Sequence, residues 1–263
     1  MTGAPLPELV ADEVFRVLLV FCRVGAALML LPGFGEPYVP PRLRLLLALG
    51  LSLLLAAALG PGGLLPAAPA SPAALALLVG HEVLVGLFLG TAARTLLGAL
   101  HVAGTAIAYQ SSLAGASVFD LGAATQGTLP GNLLTTTALV LLFVTDGHHV
   151  LLQALAASYA VGGGLEPGAG PPLGDMAELF GRLVADAFAL GLRIAAPVVL
   201  VSLLLYLGLG VLNRLMPALQ VFFIALPLQI LLAFATLMLS LAGGLLAFFA
   251  FFGDGVARLV PGV

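Results

Sequence analysis

The chain has 263 residues, 61% of them hydrophobic and 8% charged, with a net charge of -3 and a mean hydropathy of +1.19. A soluble domain carries about 25% charged residues, so this composition excludes an ordinary water-facing surface. It also argues against nucleic acid as a partner, because no lysine is present and the arginines form no basic footprint. Cys22 stands alone, which excludes an intrachain disulfide.

Hydrocarbon offers backbone groups no water, so spanning segments are helices or a closed barrel. The long Leu/Ala/Val runs lack the alternation of a barrel. The expected class is an all-α integral membrane protein, one membrane domain over residues 1–263, with about six apolar segments. The first, 14–31, follows Glu8, Asp12 and Glu13 and contains Arg23. A cleavable signal has a basic start and a short uncharged core, so this segment is expected to be retained. PGFGEPYVPP, residues 32–41, then forces a rigid turn that starts at Pro32. Segment 42–59 opens with Arg42 and Arg44, two charges too few to fix membrane orientation.

Segment 73–108 would be roughly 54 Å long as one helix, against a hydrocarbon core of about 30 Å. It leaves the membrane, folds back as a hairpin, or runs as one long helix that tilts strongly or ends in water. Within it, Gly86, Gly90, Arg94 and Gly98 follow at four-residue spacing, which favours a close helix contact with Arg94 buried there. Residues 109–131, YQSSLAGASVFDLGAATQGTLPG, are polar and glycine-rich. The stretch reads either as a plain connector or as a deformable loop able to occlude a conduit. Segments 132–161 and 186–212 follow, separated by a Gly/Pro connector at 162–174. The last segment, 218–252, lies beyond Pro217 and is interrupted by Pro227 and Gly243-Gly244, leaving 253–263 as a short tail. Pro32, Pro217 and Pro227 are the expected helix breaks.

The informative residues are charges inside apolar runs. Arg16, Arg23, Glu82, Arg94, Asp146, Asp186, Arg193 and Arg214 would each cost about 2.5–3.5 kcal/mol if unpaired at a span centre. Arg16, Asp146, Asp186 and Arg214 lie near segment ends and can snorkel. Arg23, Glu82, Arg94 and Arg193 need a counter-charge, a protein surface or a wet path. Asp175, Glu178, Arg182, Asp186 and Arg193 share one helix face, so the approach to the fifth segment is amphipathic. In TDGHH, residues 145–149, adjacent histidines are expected to point to different faces, with no third metal ligand at the usual spacing. No protease constellation, phosphate loop, dinucleotide fingerprint or cofactor motif is present. No metal, no cofactor and no catalytic residue are expected.

Four blocks carry a resemblance. FRVLLVFCRVGAALMLLPGFGEPYVPPRLRLLLALGL (15–51) contains Arg23, the proline turn, Arg42 and Arg44. HEVLVGLFLGTAARTLLGALHVAG (81–104) contains Glu82, Gly86 and Gly90. GHHVLLQALAASY (147–159) contains His148 and Ser158, and LNRLMPALQVFFIALPLQI (212–230) contains Asn213, Arg214, Pro217 and Pro227. In this order the blocks resemble the FliR family of flagellar biosynthetic proteins over nearly the whole chain. Two positions depart from the family: Gln220 replaces the usual Asn or Ser, and Leu121 rather than proline follows Asp120.

The resemblance implies a non-enzymatic, channel-forming subunit of the type III protein-export gate in the bacterial inner membrane, within the flagellar basal body. Its implied partners are FliP-like and FliQ-like subunits, FlhA-like and FlhB-like export proteins, and unfolded flagellar subunits that cross through the gate. It implies bent, hairpin-like segments packed in a helical assembly. Arg23, Glu82, Arg94, Arg193 and Arg214 would lie at subunit contacts or along the channel. The middle loop would be a plug, with Gln110, Ser112, Gly115, Asp120, Gly127 and Pro130 as candidate gating residues. A secondary transporter using Glu82, Arg94 and Arg193 is the alternative, although no matching pair of half-helix breaks supports it. The equivalent subunit of a virulence-type secretion system is the other.

Overall fold

A computed structural model of the chain describes residues 6–59, 65–66, 68–69, 71–115, 127–162, 173–216 and 221–260. The described residues form seven α-helices and no strand. They are α1 (Leu6–Leu28), α2 (Pro41–Leu59), α3 (Pro72–Gln110), α4 (Leu129–Val144), α5 (Gly147–Gly162), α6 (Leu173–Leu215) and α7 (Val221–Leu259), with a 3-10 turn at Leu113–Gly115. Helices α2, α3, α6 and α7 are each long and apolar enough to cross a membrane. Counting α4 with Gly147–Ala160 as one bent span makes five.

Local chemistry sets the boundaries. After α1 the chain turns through Gly33, whose φ of 82° suits glycine. Arg44 then closes the proline turn: its Nη2 donates to the carbonyls of Glu36 and Val39 at 2.6 and 2.9 Å. Pro41 opens α2, where its missing N–H costs nothing. Thr128 caps α4 by accepting from the Gly131 N–H, and Pro130 lies in the first turn. The expected segment 132–161 is two helices. Thr145 closes α4 onto the Leu141 carbonyl, and Asp146 adopts a left-handed φ of 58° that no continuing helix allows.

The two overlong segments do not fold back. Both α3 and α7 run unbroken for 39 residues, and α6 for 43. Pro32 lies in the turn after α1, and Pro217 falls outside the described residues. Pro227, expected to break the last segment, sits inside α7, and the helix continues through it and through Gly243-Gly244. The reason is local: proline removes one backbone bond, and apolar packing further along holds the helix. Pro197 is likewise accommodated inside α6. Helix α7 reaches Leu259, so most of the expected tail is helical.

Contacts group the chain into two compact units, Met1–Arg94 with Asp146–Arg182 and Gly253–Val263, and Thr95–Thr145 with Leu183–Phe252. In the first, Val20, Val24, Ala27, Ala92, Leu155, Tyr159 and Val256 are buried. In the second, Leu96, Leu100, Ile107, Leu134, Leu183, Val198 and Phe248 are. Outward faces are also apolar, including Leu46, Leu53 and Leu54 on α2 and Leu203, Leu204 and Leu207 on α6. Such faces suit lipid or another protein rather than water.

Candidate functional site: a buried ion pair and the root of the polar loop

The first unit holds a charge cluster that its hydropathy pattern made costly. Arg23 of α1 is completely buried. Its Nε and Nη2 donate to the two carboxylate oxygens of Glu82 on α3, at 2.7 and 3.0 Å. Its Nη1 donates to Ser158 Oγ on α5 at 3.0 Å. The guanidinium lies 4.0 Å from the centre of the Tyr159 ring. That ring's hydroxyl reaches the Val20 carbonyl at 3.4 Å, and the Ser158 hydroxyl donates to the Leu155 carbonyl. One forked cation thus ties three helices together, matching planar carboxylate geometry and stacking on an aromatic face.

Glycines make this approach possible. A Cβ on Gly86 would stand 2.3 Å from the Arg23 carbonyl oxygen, and one on Gly90 would stand 2.8 Å from that of Ala27. Glu82 lies one turn before Gly86, so close backbone contact delivers the carboxylate to Arg23. The four-residue stripe does not stay on this contact. Four residues advance a helix by about 40° beyond a full turn. Gly98 consequently meets nothing, and Arg94, expected to be buried with the stripe, is exposed on the chain.

Arg193 and Arg214 are exposed too, and neither they nor Arg94 form an ion pair among the described residues. Of the amphipathic stripe, Glu178 and Arg182 pair one turn apart, and Asp186 is half-buried. Asp146, His148 and His149 come together at the exposed break: one ligand atom from each lies within 4.8 Å of the others. The two imidazole centres are 4.1 Å apart, so these neighbours converge rather than diverge. They do so beside the left-handed turn, where Asp146 Oδ1 lies 3.6 Å from His149 Nδ1.

The second unit holds the described roots of the polar loop. Helix α3 runs on to Gln110, and α4 begins at Leu129, which shortens the loop from both sides. Residues 116–126, with Asp120, lie outside the described residues. At the upstream root, Gln229 of α7 donates from Nε2 to the Gln110 carbonyl and, at 2.6 Å, to Tyr206 Oη of α6. Ser112, at φ 58°, donates to Gln229 Oε1 at 3.4 Å. Gly115 ends the 3-10 turn. At the downstream root Gly127 is exposed, whereas Pro130 is buried in the first turn of α4. There Gly104 and Gly131 let α3 and α4 touch backbone to backbone: a Cβ on Gly104 would meet the Gly131 Cα at 2.1 Å.

The sequence marks Ser158 only within the block 147–159 and gives Tyr159, Tyr206 and Gln229 no role in a site. Their only local signal is polarity inside an apolar helix, which four separate residues share with many that merely bond to their own helix, as Ser52 does.

Long apolar helices, an internal ion pair and a polar loop between spans define a multi-pass helical membrane protein. The chain belongs to the bacterial export proteins, family 1, whose model matches residues 14–254. Among curated relatives, the flagellar biosynthetic protein FliR of Caulobacter vibrioides is 36% identical over 237 residues, 89% of this chain and 91% of that protein. FliR of Bacillus subtilis is 31% identical, covering 86% of this chain and 85% of its own length. The Yop proteins translocation protein T of Yersinia pestis is 30% identical over 59% of each chain.

Proposed function

We propose that this chain is a structural, channel-forming subunit of the flagellar type III export gate. The observation that carries this reading is collinear similarity to FliR over 89% of the chain, against 59% for the Yop translocation relative. The gate lies in the bacterial inner membrane. The chain assembles there with FliP-like and FliQ-like subunits, next to FlhA-like and FlhB-like export proteins. Unfolded flagellar subunits are its passengers, and no bond is made or broken by its own side chains.

The physical roles divide between the two sites. The Arg23–Glu82 pair, with Ser158 and Tyr159, fixes the packing of α1, α3 and α5. It removes two charges from lipid without any partner chain. Arg94, Arg193 and Arg214, exposed on the single chain, meet acidic or carbonyl groups of neighbouring subunits or line the hydrated path. The loop between α3 and α4 seals the resting channel and yields when a passenger enters.

Deleting the gene in its own host tests the reading. Loss of flagella and of exported flagellar subunits, with needle-type secretion unaffected and function restored by the full chain in trans, is the expected result. Normal flagella in the deletion strain would refute it.

A further inference from the structure

The end of α3 is capped from another helix. A helix leaves its last four carbonyls without intrahelical partners, and Gln110 is the final residue of α3. Its carbonyl accepts from Gln229, 119 residues away in sequence and only 3% exposed. The adjacent Ser111 hydroxyl does not supply this cap: it turns back to the Ile107 carbonyl at 2.7 Å. Ser112 instead adopts the left-handed region, uncommon for a residue with a Cβ, and its hydroxyl donates to the other end of the same Gln229 amide.

Both donors and the oxygen of the amide are engaged. Its two N–H groups serve Gln110 and Tyr206, and its oxygen serves Ser112. Tyr206 Oη, as acceptor, holds the amide in the orientation that aims the second N–H at α3. Neither a carboxylate nor an apolar group can replace this, since one cannot donate and the other does neither.

We infer that Gln229, oriented by Tyr206, is the positioning residue that fixes the end of α3 and the first residues beyond it, where the polar loop begins. The consequence for sealing rests on the loop reading given above; the anchoring itself does not.

The test uses the assembled gate in nanodiscs and liposomes, with Gln229→Leu, Gln229→Glu and Tyr206→Phe. Hydrogen–deuterium exchange at residues 111–115 reads the anchor, and ion leak reads the seal. Losing a net hydrogen bond speeds opening about five-fold. Both Gln229 variants are expected to exceed that at 111–115, with Tyr206→Phe near it and protection in the middle of α3 unchanged. Leak rises in the same order. Tyr206→Phe removes one oxygen from a half-exposed side chain and keeps the measurement available should a Gln229 variant fail to assemble. Wild-type exchange at 111–115 in Tyr206→Phe, or in either assembled Gln229 variant, would overturn the anchor. Faster exchange with unchanged leak would uphold the anchor and overturn the loop as a seal.

Discussion

Arg23 and Glu82 show how a charge survives in a chain this apolar. Each would be expensive alone, and each makes the other tolerable through two parallel hydrogen bonds. Removing one partner is worse than removing both, because the survivor stays buried. Glu82→Gln keeps the shape but cancels the counter-charge, and is expected to destabilise the chain by about 3–5 kcal/mol. Thermal unfolding of the chain within its co-expressed complex in detergent measures it, and Arg23→Met combined with Glu82→Gln is expected to regain part of the loss. Arg23→Lys is expected to lose stability as well, since one ammonium cannot serve both carboxylate oxygens and Ser158 while stacking on Tyr159. Hydropathy alone marked Arg23 and Glu82 as needing partners. It could not pair them, because 59 residues separate them and nothing local records which faces meet. Arg94 illustrates the limit from the other side: its spacing from Gly86 and Gly90 looked like one face, and helical drift carried it off.

At the scale of elements, periodic apolar length was the readable quantity and continuity was not. The sequence placed α2 and α3 within two residues at each end, whereas α6 begins at Leu173 rather than 186 and α7 ends at Leu259 rather than 252. Pro227 looked like a stop because proline usually is one, yet packing keeps α7 helical through it. The true interruption, at Asp146, carries only a short polar TDGHH signature. That break can be tested directly. Its φ of 58° favours glycine and penalises a β-branched residue. Asp146→Gly is expected to leave stability within about 1 kcal/mol of wild type or above it, whereas Asp146→Val loses about 1–3 kcal/mol. Equal melting temperatures for both variants would show that the turn is not held in that conformation. The polar loop was legible as a loop, but its edges were not: α3 extends to Gln110 and α4 starts at Leu129, held by a side chain from α7 at one root and a threonine cap at the other. Deleting 112–127 from an assembled gate is expected to raise ion and small-solute leak in liposomes. An unchanged leak would remove the sealing role while leaving the helices as described.

For the whole molecule, the question is what covers it. The membrane class followed from composition, and the family from four ordered blocks, because both are written in residues a single sequence displays. Assembly is not, since it depends on surfaces of other chains. Apolar side chains cover α2 and α6, and three arginines project without an internal partner among the described residues. Lipid can accept the former but accepts the latter only at cost. A neighbouring subunit can accept both. Co-expression of this chain with the FliP-like and FliQ-like proteins of its own host, followed by affinity capture and native mass spectrometry in detergent, asks this question most directly. The expected result is a stable complex of fixed stoichiometry containing all three, with the chain alone recovered poorly or as aggregate. A monodisperse, thermally stable monomer that captures neither partner would contradict the assignment.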